Sequence, residues 1–441
     1  MKSNVKIRLL LIIIIAIPVF IAIYFILKLP AGSAAADNPP QARVAVKEVQ
    51  AKKTLVYSYG GNDTGGSIKA TTDAFKNSHP DIDVKIQQLP NSTDYQRDFY
   101  KRALYSGDSS IDVFYADIIW TAELASSDWV LPMDGYFDAA ELDKFLKNAL
   151  EGCKYKGRLY AIPGKTDIPL LFYRSDIIKT PPQTYDELIG LSKKYREASG
   201  LKYGLVFQGQ AYEGLVCTAL EFIWNNGGEV MENGRVVINS PQAIEGLQLL
   251  VDIMNSGAAS PDVFNFQEED VRIAFQDGNA LFMRNWPYAY KQLASQNSKV
   301  KDKFNIATLP LGPKGKVSRG TLGGWNYMIN KNTKNLDAVL EFVKYMSSYD
   351  TEILGCSTGG NLPARKAAYD DPEVLKITPW ISQVATAFEN ASLRPVSSNY
   401  SSVSKAMQAN FSAAIQGKIS AAAAIGNIEK SLVDIGAVDR R

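Results

Sequence analysis

The sequence predicts an α/β protein of two lobes, and three observations carry that reading. From Thr54 onward short apolar strands alternate with longer amphipathic helices, the arrangement of a sheet covered on both faces. The C-terminal third, from Leu336, is mostly helical. At 441 residues the chain exceeds what one hydrophobic core usually accommodates.

The N-terminus comes first. After the basic MKSNVKIR, the run Leu9 to Leu27 is uncharged and almost wholly apolar. It is about 19 residues, or roughly 28 Å as a helix, long enough to span a bilayer core. Pro18 within it is tolerable in a spanning helix. Lys2, Lys6 and Arg8 orient the segment with its start in the cytoplasm, so everything after residue 30 is extracytoplasmic. The run is longer than a usual signal core, which favours an uncleaved anchor; the alternative is a signal peptide cut near Ala36, at Ala34-Ala35-Ala36. With no Cys before Cys153, a lipid-anchored N-terminal cysteine is excluded. Residues 1–30 are thus the anchor or signal segment, and 31–53, small, polar and Pro-containing, read as a linker.

In the body, TLVYSY reads as a first strand, SIKATTDAFKNS as a helix, IDVKIQQL as a second strand and TDYQRDFYKRALYS as a helix. IDVFYADIIW reads as a third strand running into its C-terminal loop, which puts Asp117 and Trp120 where open α/β sheets bind ligands. LLFYRSDII, TYDELIGLSKKYREASG, KYGLVFQG and GLVCTALEFIWNNG repeat the theme. In GNALFMRNWPYAY, Gly278 to Tyr290, Ala280 to Met283 form a short buried strand ended by Pro287. Trp286 at its end either offers a flat face to a ligand, with Arg284 and Asn285 as polar neighbours, or packs in the core.

Several function classes drop out. The net charge is +2, and the four cations Lys2, Lys6, Arg8 and Lys28 leave the remainder at −2, which gives no electrostatic reason for nucleic-acid binding. Cys153, Cys217 and Cys356 lie far apart without metal-like spacing and read as buried thiols. His79, the only histidine, sits before Pro80 in a connector, so neither triads nor His-rich zinc sites are available. The loop GGNDTGGS lacks both nucleotide-binding glycine patterns. It reads as a ligand-contacting turn in which Asp63 and Thr64 reach hydroxyls. No cofactor and no metal is called for. Paired carboxylates for glycoside hydrolysis remain as Asp117 and Asp167, although Lys165 beside Asp167 is expected to keep it ionised.

The segments GNALFMRNWPYAY, TLGGWNYMINK, FKNSHPDIDVKI, DVFYADIIW and GRLYAIPGKTDIPLLFYR, in their order, resemble the extracellular solute-binding proteins of ABC sugar importers, most of all the trehalose/maltose-binding branch. The resemblance covers nearly all of residues 54–435. It implies a periplasmic-binding-protein-like fold with two α/β lobes joined by a hinge of crossing segments, one built from 54–165 and 309–355, the other from 166–308 and 356–441. It implies a monomer that binds a disaccharide or short oligosaccharide by lobe closure and delivers it to ABC permease transmembrane subunits, with no chemistry on the sugar. A tethered sugar sensor is the alternative, and a glycosidase the remoter one.

By the same resemblance, Asp117 and Asp167 are acidic ligands of sugar hydroxyls, Arg97 is a basic residue lining the first lobe, Trp286 and Tyr288 are the aromatic wall of the second, Gly324-Trp325 faces that wall, and Arg394 belongs to the closing C-terminal segment. Charge-assisted hydrogen bonds from carboxylate and guanidinium, with flat aromatic surfaces for C–H faces, suit a sugar. Two departures bear on which sugar it is. Lys165 stands where the branch carries an aromatic, and only Asp63 replaces the acidic residue of the first loop.

Overall fold

The computed structural model describes residues 52–61, 63 and 65–436. The apolar run Leu9 to Leu27, the Ala36 cleavage site and nearly all of the linker lie outside them. Among the described residues, no helix is long and apolar enough to cross a membrane.

Two sheets are built from β1 (Lys53–Gly60), β2 (Ile82–Leu89), β3 (Val113–Asp117), β4 (Ile162–Asp167), β5 (Leu170–Arg174), β6 (Tyr203–Val206), β7 (Ala280–Asn285), β8 (Phe304–Ala307) and β9 (Gly323–Ile329). The first has the order β2-β1-β3-β9-β4, the second β8-β5-β7-β6. In the first sheet β1 lies parallel to β2 and β3, and β9 runs antiparallel between β3 and β4. Parallel strands need crossovers, which α1 (Ser67–Ser78) and α2 (Thr93–Tyr105) provide. Leu55, Tyr57, Val113 and Phe114 are fully buried, as expected of strands covered on both faces.

The helices that position the site are α3 (Tyr185–Tyr195), α4 (Glu213–Asn225), α5 (Pro241–Asn255), α6 (Glu268–Gln276), the short α7 (Tyr288–Leu293), α8 (Leu336–Met346), α9 (Tyr349–Gly359), α10 (Tyr400–Ile415) and α11 (Ala421–Asp434). In the second sheet β7 pairs with β5 on one side and β6 on the other. All six of its residues are buried, and Leu281, Phe282 and Met283 each contribute about 1.5–3 kcal/mol by leaving water.

The chain passes from the first sheet to the second between Asp167 and Leu170, and back between Ala307 and Gly323. The C-terminal helices then divide. α8 and α9 pack on α1 beside the first sheet, so residues 356–359 stand there, whereas α10 packs on α4 and α11 on α5. The intervening 390–399 segment bridges back to the hinge through Thr321 and Ser392.

Two local expectations differ in detail, and that of the buried thiols holds. The third strand ends at Asp117, whose carboxylate caps a 3-10 turn over Ile118–Trp120 by accepting the Ile119 amide at 3.1 Å. Trp120 is consequently core, packed against Tyr100 and Trp325. His79 caps α1 and stacks on Phe75 at 4.2 Å, so the connector is partly built into the core. The three cysteines are free and buried.

Candidate functional site

The carboxyl ends of β3 and β4 and the end of β7 face one another across a cleft of about 70 Å³. Strand register assembles its first wall. Trp325 of β9 pairs with Asp117 of β3 on one side and Lys165 of β4 on the other, and Gly323 pairs with Asp167. Five residues from three distant parts of the chain thus stand within three successive rungs. Gly324 holds φ at 155°, and a Cβ there would stand 2.9 Å from the Lys165 carbonyl oxygen, so no side chain fits that rung.

The charges on this wall are held in different ways. Asp117 receives the Arg394 guanidinium, Nη2 donating to Oδ1 at 2.7 Å, and the same guanidinium donates through Nη1 to Glu213 Oε1 at 2.8 Å. Glu213, the first residue of α4, also accepts from the hydroxyls of Tyr400, at 2.6 Å, and Ser404. Arg394 is 3% exposed. A buried cation between two carboxylates therefore ties the end of β3 to the helices of the second sheet.

Asp167 contrasts with Asp117. Its Oδ2 lies 3.2 Å from Lys165 Nζ, but Oδ1 has no partner among the described residues, although the side chain is buried in the cleft wall. Burial raises its pKa above the usual carboxylate value, against the lowering effect of Lys165. Lys165, expected to keep Asp167 ionised, does lower the pKa through its ammonium, but desolvation outweighs it and the net direction is upward.

The second wall is aromatic and braced from behind. The Arg284 guanidinium lies 4.3 Å from the Trp286 ring centre and is itself clamped by Glu221, with Nε to Oε2 at 2.9 Å, and by Gln208 at 3.1 Å. Asn285 accepts the Trp286 amide at 2.8 Å, and the Tyr288 hydroxyl donates to Glu269 at 2.6 Å. Glu268, at the start of α6, also lines the cleft; desolvation raises its pKa, while Tyr212 and Trp286 hydrogen-bond it. Trp286 reaches across to the first wall, since a Cβ at Gly323 would meet its ring at 3.1 Å.

Of the residues singled out from the sequence, Asp117, Asp167, Trp286, Tyr288, Gly324, Trp325 and Arg394 line this one cleft. Asp63 lines an adjoining compartment of about 40 Å³ that shares Lys165, Tyr288 and Trp325 with the first. Its carboxylate caps α1, accepting the Ile68 amide at 2.8 Å and the Ser67 hydroxyl at 2.7 Å. Thr64 lies outside the described residues. Arg97 does not line the cleft: it is buried against Asp94 and Asp98, and Asp94 continues through Gln408 and Ser404 to Glu213. Glu213 and Glu268 escaped notice in the sequence, where an acidic residue in a helix's first turn reads as ordinary compensation of the helix dipole.

Residues 60–352 match the family described as bacterial extracellular solute-binding protein. A probable ABC transporter-binding protein of Deinococcus radiodurans is 32% identical over 79% of this chain and 84% of its own length. The maltotriose-binding protein of Pyrococcus abyssi is 27% identical over 72% of this chain and 67% of its own. Among solved structures, maltose-bound MalE3 of T. maritima superposes with a TM-score of 0.83 at 36% identity, covering 86% of this chain and 99% of that one.

Proposed function

This chain belongs to the bacterial extracellular solute-binding protein family, and we propose that it captures a disaccharide or short α-glucoside of the maltose/trehalose kind and delivers it to an ABC permease. Its family and neighbours are binding proteins of ABC transporters, not enzymes, so Asp117 and Asp167 serve recognition and not hydrolysis.

The observation that carries the sugar reading is the pairing of opposite surfaces in one cleft. Trp286 and Trp325 present aromatic rings from the two walls, while Asp167, which lines the same cleft, has one buried carboxylate oxygen without a partner among the described residues. A ring with C–H faces and a rim of hydroxyls meets both demands, the faces against the indoles and one hydroxyl donating to Asp167 Oδ1. Maltose, as bound by MalE3 of T. maritima, and maltotriose, as named for the Pyrococcus abyssi relative, are the first ligands to test.

Because contacts come from both walls, a ligand binds the closed arrangement more tightly than the open one and shifts the population towards it, in a shape a permease can read. The N-terminal run Leu9 to Leu27 would hold the body at the outer membrane surface as a monomer. A thermal-shift screen against mono-, di- and trisaccharides tests the sugar assignment, since a ligand present at 100 times its Kd adds about 2.7 kcal/mol to stability. A rise with maltose or trehalose and none with glucose is the expected result. No rise with any α-glucoside would remove the assignment. Recovery of the chain in the membrane fraction after a high-salt wash tests the anchor.

A further inference from the structure

Away from the sugar-facing walls, a second contact joins the two halves of the molecule. Lys291, one turn beyond Tyr288 on α7, extends its ammonium to the last turn of α9, on the first-sheet side. It donates to the Thr358 carbonyl at 2.5 Å and to the Ser357 carbonyl as well. These carbonyls belong to the end of a helix, where no further amide follows to satisfy them and where the helix dipole is negative. The α9 chain turns off at Gly360, whose amide returns to Cys356 at 2.8 Å. The side-chain hydroxyls of Ser357 and Thr358 fold back onto the Leu354 carbonyl, leaving their own carbonyls to Lys291.

The approach of the two halves here is set by backbone. Gly360 has φ 75°, and a Cβ on it would lie 3.0 Å from Lys291 Cβ and 3.3 Å from the Tyr288 carbonyl oxygen. α9 itself is fixed to the first sheet: Asn361 donates to Ser67 at 2.9 Å, and a Cβ at Gly65 would meet Gly359 Cα at 2.4 Å. Desolvation lowers the Lys291 pKa, so the ammonium gives up water at this junction and takes the two carbonyls in exchange.

We propose that Lys291 and Gly360 form a closure latch that sets affinity for every sugar through the open-closed equilibrium, without touching the sugar. The proposal rests on the closure reading above. A residue acting only on the population of the binding-competent form scales all ligand affinities by one factor, whereas a residue contacting sugar changes the ratio between ligands.

The test uses the full chain in detergent with maltose and maltotriose as probes, titrated by calorimetry. Fluorescence transfer is measured in parallel between labels on Lys69→Cys and Lys299→Cys, exposed positions of the two halves. Lys291→Met is expected to weaken both sugars by the same factor, about fivefold or more, and to lengthen the mean label separation without ligand. Lys291→Arg restores both. Gly360→Ala opens the label separation by crowding the same junction. Unchanged affinities with unchanged separation overturn the latch, as does a loss confined to one sugar. Should the parent protein bind neither sugar, the sugar assignment fails while the label separation of the unliganded variants still decides the latch.

Discussion

Asp167 and Glu352, beside the first sheet, are held differently from Glu213 and Glu221, beside the second. Beside the first sheet, Asp167 and Glu352 are each left with one oxygen lacking a partner among the described residues, and burial raises both pKa values, Glu352 to about 8. Beside the second sheet, Glu221 is matched by Arg284, and Glu213 accepts from Arg394, Tyr400 and Ser404. An unpaired buried carboxylate weakens the fold, whereas a fully partnered one adds rigidity. The second half therefore presents a finished aromatic wall, and at Asp167 the first leaves the acceptor that a ligand hydroxyl can complete.

Removing Arg394, the buried guanidinium that ties Asp117 to Glu213, should have the largest destabilising effect. Arg394→Ala leaves Asp117 and Glu213 buried without it, and a loss of about 3–5 kcal/mol in urea unfolding is expected. A loss below about 1 kcal/mol would mean the pair is solvated and the contrast between halves is wrong.

Glu352 tests the unpaired side. Its folded pKa, about 8, lies above the ordinary 4.5, so the folded state holds more protons in that interval and stability falls as pH rises through it. Glu352→Gln mimics the protonated form at all pH values. The variant should match its parent near pH 4 and exceed it by on the order of 5 kcal/mol at pH 9. Parallel stability curves for the two proteins would refute an unpaired carboxyl.

Trp286→Ala removes the half-buried ring of the braced wall while leaving the Arg284–Glu221 pair intact. Sugar affinity should fall about 30-fold, or about 2 kcal/mol, by calorimetry, with the far-ultraviolet circular dichroism unchanged. Unchanged affinity would move the sugar off this wall. The smallest effect is expected from Lys165→Met, which takes away the ammonium near Asp167: the Asp167 carboxyl should titrate higher, read by carbon-13 NMR. An unmoved titration would show that Lys165 exerts no field there.

Elements of the first lobe follow local pattern closely. SIKATTDAFKNS and IDVKIQQL coincide with α1 and β2 over their full lengths, because one face of each supplies its own period of apolar residues. IDVFYADIIW misled by its last three residues, since a continuous apolar run does not distinguish strand from buried turn, and the Asp117 cap that ends the strand is a hydrogen bond. At the site, Asp117, Asp167, Trp286 and Trp325 were legible from residue type and family likeness. Arg97 carried the same kind of signal yet points into a buried ion network, and nothing local separates those outcomes.

By itself the sequence determined the alternation of strands and helices, the apolar N-terminal run and the aromatic end of β7, since each depends on neighbours within a few turns of chain. Tertiary structure alone decided that Asp117, Trp325 and Lys165 share a rung, that Glu213 anchors Arg394 and that burial overrides Lys165 at Asp167. Register and desolvation are set by segments up to some two hundred residues apart, and no local pattern encodes the distance at which they meet.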